Sequence, residues 1–222
     1  NDEKSESKIL KHLLNLKNKA QKEGGDVHLL LGNHELMNVN GNFKYVSALG
    51  LTDFEGQRQL QFKPGGKVAV KLACNANSVL QIGSWVFSHA GVTTEITKKY
   101  SIEQVNDRIR NYLLGNEPLN NDHPLMDIFW HRRYGNETAC PAIKNALDNW
   151  RAKNMAIGHT VQQYGINSMC NDTLWKLDVG MSDSFGMCGT DGKPCIEVLE
   201  IIDDGDVVNI IKGKKTLKKN SM

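Results

Sequence analysis

The sequence predicts an α/β fold, and three observations support this prediction. Three short apolar segments, residues 27–31, 85–88 and 155–157, are each followed within three residues by a glycine and by an Asn or His. Segments with helical periodicity lie between them. The last third of the chain is a series of strand-like segments. Strands that first alternate with helices and then follow one another indicate helices packed on a sheet.

The first element is predicted to be a helix. Ser5 or Ser7 can cap it, apolar residues recur at helical spacing over residues 9–20, and the glycine pair at 24–25 ends it. Residues 27–31 are too short for a helix after a double glycine, so a buried strand of the parallel type fits them better.

The middle of the chain is predicted to form a turn and then several strands. Asn33 and His34 belong to a tight turn, a polar loop follows over residues 38–42, and the next stretch, to about residue 66, is ambiguous. Strands are expected at residues 68–72, 79–82 and 85–88.

A capping box predicts the helix that follows. Ser101 and Gln104 can each bond to the other's backbone N–H, and the helix is expected to end near Leu114. A further helix is expected over residues 141–153. The remaining apolar segments are predicted to be strands, the last of them antiparallel: residues 155–158, 174–179, 196–202 and 207–211.

Length and composition predict a single domain over residues 1–222 with a sizeable core. The formal charge of +2 does not indicate a nucleic-acid partner, and none is expected. No apolar run approaches the ~18 residues that a membrane span needs. Because the chain begins at Asn1 without an initiator Met, we expect it to be a fragment of a longer protein.

The five cysteines form no CxxC pair, so a zinc knuckle is not expected. Cys188 and Cys195 bracket a short loop that a disulfide could close, and the alternative is that all the thiols are reduced. The sequons at Asn136 and Asn171, together with this loop, slightly favour the secretory route. The compartment stays open.

Asn33, His89 and His159 are the candidate metal ligands. Because parallel strands present their carboxyl ends along one edge of a sheet, the three side chains are expected at that edge. Neutral imidazole nitrogens and an amide oxygen suit Mn, Fe or Zn better than Mg or Ca. His34 adjoins Asn33 in the same turn but points elsewhere, which suits a general acid.

Arg132 and Arg133 are the candidate phosphate-binding residues, because a guanidinium offers a planar fork of donors to phosphate oxygens. Each candidate has an ordinary structural alternative. A histidine after a strand is more often a hydrogen-bonded structural residue than a ligand, and two arginines in a loop usually form surface ion pairs. The coincidence of three such strand ends with an Asn-His pair favours the site.

Three motifs together resemble the metallophosphatases of the phosphoprotein phosphatase superfamily: GNHE at residues 32–35, HAG at 89–91 and GHT at 158–160. Longer segments are similar to the Shewanella-like (bacterial-type) protein phosphatases of plants and protists, namely residues 32–46, 130–132, 177–182 and 197–201. The similarity extends from about residue 27 to residue 202, which is most of the chain.

The resemblance implies a metallophosphoesterase-type β-sandwich, in which two mixed sheets pack between helices. It also implies two divalent metal ions (Mn, Fe or Zn) at the sheet edge. Matched residue by residue, Asn33, His89 and His159 would ligate the second of these ions.

The resemblance further implies a mechanism. His34 would protonate the leaving oxygen, and Arg132 would hold the phosphate, with Arg133 as the alternative. A metal-bridging hydroxide would attack phosphorus in line, and no phosphoenzyme is implied.

Two motifs of that family, Gly-Asp-x-His and Gly-Asp-x-x-Asp-Arg-Gly, would lie upstream of residue 32. Residues 25–28 spell the first (GDVH), but at ~3.3 Å per residue His28 would lie about 17 Å from Asn33, at the other end of a strand. The N-terminal strands of the fold are therefore expected to be missing from this chain. It would then be the C-terminal portion of a catalytic domain and would ligate at most one of the two ions.

The sequence predicts a phosphatase that acts on phosphorylated protein substrates and is active only if the upstream segment is present. Phosphoserine/threonine and phosphotyrosine both stay open as substrates. The alternative is a non-catalytic phosphatase fold that binds phosphorylated partners. The presence of His34 favours the enzyme, because a binding module has no use for a general acid.

Overall fold

The structure is a computed structural model that describes residues 6–181 and 196–213. The described residues form two compact units, of which the first comprises residues 6–79 and 100–126 and the second residues 80–99, 127–181 and 196–213. Within the described ranges, the first unit is mostly helical and the second contains most of the strands.

The helices of the described residues are α1 (Glu6–Lys22), α2 (Asn33–Val39), α3 (Arg58–Phe62), α4 (Lys67–Asn75), α5 (Thr94–Lys99), α6 (Ile102–Leu114), α7 (Asp127–Trp130) and α8 (Cys140–Asn149). The strands are β1 (Leu29–Leu30), β2 (Ala76–Asn77), β3 (Val79–Ile82), β4 (Trp85–Ser88), β5 (Asn154–Ile157), β6 (Asn167–Met169), β7 (Leu174–Lys176), β8 (Ile196–Ile202) and β9 (Val207–Gly213).

The first unit packs its helices beside a short parallel pair, β1 and β2. Helix α4 contacts α3 on one side and α6 on the other. Asn106 links α6 to the chain after β2. Its side-chain oxygen accepts hydrogen bonds from the N–H groups of Ser78 (2.8 Å) and Val79 (3.1 Å). Helix α2 contacts α3 in the same unit.

The second unit contains a mixed sheet with the strand order β3-β4-β5-β7-β6. Strands β4, β5 and β7 run parallel to one another, and β6 pairs antiparallel with β7. In the register of β4 and β5, Trp85 faces Asn154 and Ser88 faces Ile157. The two strands therefore end at the same level, which places the residues that follow them side by side.

The antiparallel hairpin of β8 and β9 forms a second layer in this unit. Leu199, Ile201 and Val208 of the hairpin pack against a buried cluster that includes Trp85 and Trp175 of the sheet. Burial of these apolar side chains between two β layers provides the main stabilisation of such an arrangement. The packing agrees with the predicted sandwich, although the described part of the second layer has two strands.

Several predicted elements are confirmed at both ends. Strands β3, β4 and β8 have the predicted bounds, and α6 begins one residue after the predicted cap. The capping box is present: the Ser101 hydroxyl accepts from the N–H of Gln104 (3.2 Å), and the Gln104 side chain accepts from the N–H of Ser101 (2.8 Å). Helices α1 and α8 also lie where they were expected, but α8 ends at Asn149 rather than at residue 153.

The strand predicted over residues 68–72 is wrong, because this stretch belongs to helix α4. The buried side chains are those of Val68, Ala69, Leu72 and Ala73, which share one face at helical spacing. A short apolar run does not distinguish a strand from a buried helix by its periodicity alone. The packing of this apolar face against the other helices of the first unit stabilises the helical conformation.

The predicted turn at Asn33 and His34 is also wrong, because both residues lie in the first turn of α2. The strand before them is shorter than expected and is limited to Leu29 and Leu30. Within the described residues, no helix is long and apolar enough to cross a membrane.

The alternative that all cysteines are reduced is wrong, because a disulfide joins Cys140 to Cys170. It connects the start of α8 to the turn between β6 and β7. The predicted loop closure between Cys188 and Cys195 lies outside the described residues. Cys74 is exposed and carries a free thiol.

Candidate metal and phosphate site

His89 and His159 lie side by side at the carboxyl edge of the second unit's sheet. Each follows one of the parallel neighbours β4 and β5, and the N–H of Gly158 donates to the carbonyl of His89 (2.9 Å). The Nε2 atom of His89 is 3.1 Å from the Nδ1 atom of His159. The sheet therefore brings together two of the predicted ligands.

The tautomer of His159 follows from a backbone contact. Its Nε2 atom lies 3.3 Å from the carbonyl oxygen of Trp130, which can only accept a hydrogen bond. With the proton of the neutral ring assigned to Nε2, Nδ1 is the acceptor in the 3.1 Å hydrogen bond with Nε2 of His89. A carbonyl acceptor of this kind commonly orients histidines that bind metal ions.

His159 has an unusual backbone conformation for a residue other than glycine. Its φ is +63°, in the left-handed region, and the residue is buried with 8% of its surface exposed. A non-glycine residue in this region costs about 1–3 kcal/mol, and such residues are concentrated at functional sites. This conformation occurs just after β5, where the imidazole lies beside that of His89.

The spacing of the two nitrogens is that of a hydrogen bond and is close to the spacing of two ligands of one metal ion. Two nitrogens at ~2.1 Å from a tetrahedral ion are separated by about 3.4 Å. Among the described residues, the larger group of potential ligands is Glu137, Cys140 and Cys170. The disulfide between these cysteines makes that group unsuitable. The histidine pair is therefore the better candidate in the second unit.

Arg132 lies beside this pair, whereas Arg133 does not. The Nη1 atom of Arg132 donates to the carbonyl of His159 (2.9 Å) and to the hydroxyl of Thr160 (3.3 Å). Arg133 instead pairs with Asp127 at 3.2 Å, and 62% of its side chain is exposed. Only Arg132 is held next to a candidate ligand, which favours it for the phosphate-binding role.

Hydrogen bonds and ring packing inside the second unit fix the segment around Arg132. Ala90 donates its N–H to the carbonyl of Ile128 (2.8 Å), which ties the segment to the loop after β4. His131 is buried, its Nδ1 atom accepts from the N–H of Arg133 (3.3 Å), and its ring packs edge-on against Tyr134. With His131 turned inwards, the neighbouring Arg132 side chain faces outwards.

Burial has the largest effect on the pKa of His131 and lowers it. The nearby Asp127 carboxylate has a smaller effect, which raises this pKa. The imidazole is therefore neutral at neutral pH and acts as a packing residue. Gly91 permits its position: φ is +106°, and a Cβ there would lie 2.9 Å from the Tyr134 ring and 3.1 Å from Nε2 of His131. Any side chain at this position would push the segment away from the strand end.

Asn33 and His34 lie in the first unit, at the amino end of α2. The carboxylate of Glu35 accepts from the N–H of Gly32 (2.8 Å) and so fixes the first turn of the helix. Asn33 is buried, with 8% of its surface exposed, whereas the His34 side chain is exposed. The backbone carbonyl of His34 accepts a hydrogen bond from the side chain of Asn38 (2.8 Å).

Two groups that contact His159 or Arg132 were not predicted from the sequence. The Trp130 carbonyl leaves no sequence signal because every residue has one. Thr160 belongs to the GHT motif, and its hydroxyl contact with Arg132 could have been considered from that motif. The roles of Asn33, His34, His89, His159 and Arg132 themselves stay predictions.

The chain resembles known proteins over most of its length. It is 35% identical to an uncharacterized protein of Acanthamoeba polyphaga mimivirus, in an alignment that covers 89% of this chain and 96% of that protein. It is 30% identical to Shewanella-like protein phosphatase 2 of Arabidopsis thaliana, in an alignment that covers 97% of this chain but 66% of the relative. No family model matches the sequence.

A solved structure, the cold-active protein-tyrosine phosphatase of a psychrophilic Shewanella species, has the same fold. Its TM-score is 0.72 at 22% identity, and the match covers 93% of this chain and 62% of that chain. The chain therefore spans about half to two thirds of the length of the phosphatases it matches. These likenesses define its class, an α/β fold of the phosphoprotein phosphatase type.

Within that class, the chain belongs to the Shewanella-like protein phosphatases. The resemblance predicted from residues 32–46, 130–132, 177–182 and 197–201 is thereby confirmed.

Proposed function

We propose that the protein is a metal-dependent phosphoprotein phosphatase that hydrolyses phosphomonoesters of protein side chains. One observation carries the proposal: the Nε2 atom of His89 and the Nδ1 atom of His159 face each other at 3.1 Å. In the metal-bound state, Nε2 of His89 and Nδ1 of His159 would both be deprotonated, and the Trp130 carbonyl would accept the Nε2 proton of His159.

His89 and His159 would hold a divalent ion such as Mn, Fe or Zn, and Asn33 stays the further ligand predicted from the sequence. Imidazole nitrogens and an amide oxygen suit these ions better than Mg or Ca. When bound, such an ion polarises phosphoryl oxygens and lowers the pKa of water. As expected from the sequence motifs, the chain alone would ligate at most one of the two ions.

The remaining residues act on the substrate. Arg132 would bind phosphate oxygens through the donors of its guanidinium that the contacts with His159 and Thr160 leave available. His34 would protonate the leaving oxygen, since its exposed imidazole stands on a helix turn that Glu35 fixes. Both phosphoserine/threonine and phosphotyrosine proteins are candidate substrates.

The test is Mn-dependent hydrolysis of p-nitrophenyl phosphate by the full-length protein, compared with His89→Ala and His28→Ala. His28 is a matched control, because it is a half-exposed histidine that lies near Asp26 in the first unit. We expect the first variant to lose activity and the control to retain it.

Equal activity of the two variants would contradict the proposed ligand role of His89. Binding of a phosphopeptide without Mn-dependent turnover would instead favour the non-catalytic binding module. Phosphotyrosine and phosphoserine peptides, assayed side by side, decide the substrate class.

A further inference from the structure

The rings of His34 and Tyr45 are stacked at the surface of the first unit. Their centroids are 5.3 Å apart and their planes differ by 9°, which is an offset parallel arrangement. Both side chains are exposed, Tyr45 by 62%. Core packing therefore does not account for the contact.

The local fold brings Tyr45 back over the start of α2. After the helix the chain reverses at Gly41, which has a φ of +72°, and the N–H of Asn42 donates to the carbonyl of Met37 (2.8 Å). The N–H of Lys44 then donates to the side chain of Asn42 (3.2 Å). These bonds fix the position of the next residue, Tyr45.

The backbone of His34 is fixed separately from its ring. Its carbonyl accepts from the side chain of Asn38, whose oxygen accepts in turn from Nη1 of Arg58 (2.7 Å). Arg58 is buried, with 3% of its surface exposed, so this chain of bonds is anchored in the unit. None of these bonds restrains the torsions of the imidazole, which could otherwise occupy several rotamers.

We infer that Tyr45 is a positioning residue, whose ring holds the His34 imidazole in the orientation needed to protonate the leaving oxygen. Both rings line one cleft of about 210 Å³, into which the side chain that leaves the phosphate could extend. Loss of alignment between reacting groups lowers the rate even when every group is present. The inference rests on the proposed function, because Tyr45 acts through His34.

The test compares kcat for an alkyl phosphate with kcat for p-nitrophenyl phosphate in the full-length protein. Proton donation matters most for the poor alkyl leaving group. Tyr45→Ala should therefore lower kcat for the alkyl phosphate about tenfold and kcat for p-nitrophenyl phosphate less than about threefold. KM should change little. Tyr45→Phe should restore the alkyl rate, because the stack needs the ring and not the hydroxyl.

The matched control is Tyr100→Ala. Tyr100 also lies beside a histidine of the first unit, His123, with centroids 6.4 Å apart and planes tilted by 42°. This variant should leave both rates unchanged. An equal loss for both substrates in Tyr45→Ala, or no recovery in Tyr45→Phe, would overturn the positioning role.

His34→Ala separates this inference from the proposed function. If that variant loses both rates equally, the general-acid assignment fails and Tyr45 has nothing to position. If His34→Ala lowers the rate for the alkyl phosphate more than the rate for p-nitrophenyl phosphate and Tyr45→Ala does not, only the positioning role of Tyr45 fails. The proton NMR signals of the His34 ring give a readout without turnover: they should move downfield in Tyr45→Ala but not in Tyr45→Phe, and unchanged signals would contradict the stack.

Discussion

The ring nitrogens of His89 and His159 face each other at 3.1 Å, although 70 residues separate the two histidines along the chain. The parallel pairing of β4 with β5 makes this contact possible, because it brings the residues after both strands to one level. The helices and loops between the two strands can vary in length without altering it. The contact therefore depends on the register of the sheet.

Removal of either imidazole should weaken metal binding. In His159→Ala, we expect the Mn affinity of the protein to fall at least about tenfold, because one of two adjacent nitrogen donors is lost. Equilibrium dialysis or calorimetry measures this without turnover. His28→Ala is the control, and equal affinities in the two variants would argue against a metal at this site.

Arg132 and Arg133 should differ in their effects on phosphate binding. Arg132→Ala should raise KM for a phosphate ester, and the inhibition constant of inorganic phosphate, by about tenfold or more, because a charged bidentate donor is lost. Arg133→Ala should change both by less than about twofold, since its exposed pair with Asp127 contributes little.

Arg132→Lys refines this test. A lysine keeps the charge but not the planar fork, so it should restore only part of the phosphate affinity. Full recovery would indicate that charge alone is needed. A larger loss of phosphate affinity in Arg133→Ala than in Arg132→Ala would assign the phosphate-binding role to Arg133.

The Cys140–Cys170 disulfide should stabilise the fold. It closes a loop across a sequence separation of 30, for which the loss of unfolded-state entropy corresponds to about 3–4 kcal/mol. We expect the double variant Cys140→Ser/Cys170→Ser to lose about that much free energy of unfolding in a denaturant titration. Cys74→Ser, at an exposed free thiol, should change it by less than about 0.5 kcal/mol.

Asp53 should make the stability depend on pH in the acid range. Burial alone would raise its pKa, but hydrogen bonds from Ser7 and from the N–H of Phe54 outweigh it and hold the pKa below its ordinary value. A carboxyl group whose pKa is lower in the folded state stabilises that state above its unfolded pKa of about 3.9. This stabilisation is lost as the pH falls through the folded pKa.

Asp53→Asn tests this relationship. The variant should lose about 1–2 kcal/mol of stability at pH 7, because the hydrogen bonds to a charged acceptor become neutral. Its free energy of unfolding should also depend less on pH below about 4 than that of the unchanged protein. Parallel pH profiles for the two proteins would exclude the contribution of Asp53.

Elements with strong local signals were predictable from the sequence. Strand β4 is bounded by a glycine-serine turn and by the motif that begins at His89, and α6 begins at a capping box, so both were placed correctly. Helix α4 was not, because its apolar residues are too few to reveal their period. There, tertiary packing determines the structure.

The same division applies to the candidate site. The proximity of His89 and His159 follows from the rule that parallel strands end along one edge. The pairing of Cys140 with Cys170 could not be read from the sequence, because the spacing of cysteines does not determine their connectivity. The stacking of Tyr45 on His34 was not predicted either, because the sequence indicates the loop at residues 38–42 but not which side chain the loop brings to His34.

The contact of His159 with the carbonyl of Trp130 has a consequence for mutagenesis. Alanine scanning cannot detect this acceptor, because every substitution at position 130 retains the main-chain oxygen. A substitution at position 130 would therefore keep this acceptor and remove only the edge-on contact of the Trp130 ring with the His159 ring. Only a change to the peptide unit itself, such as an amide-to-ester replacement after residue 130, would expose its contribution.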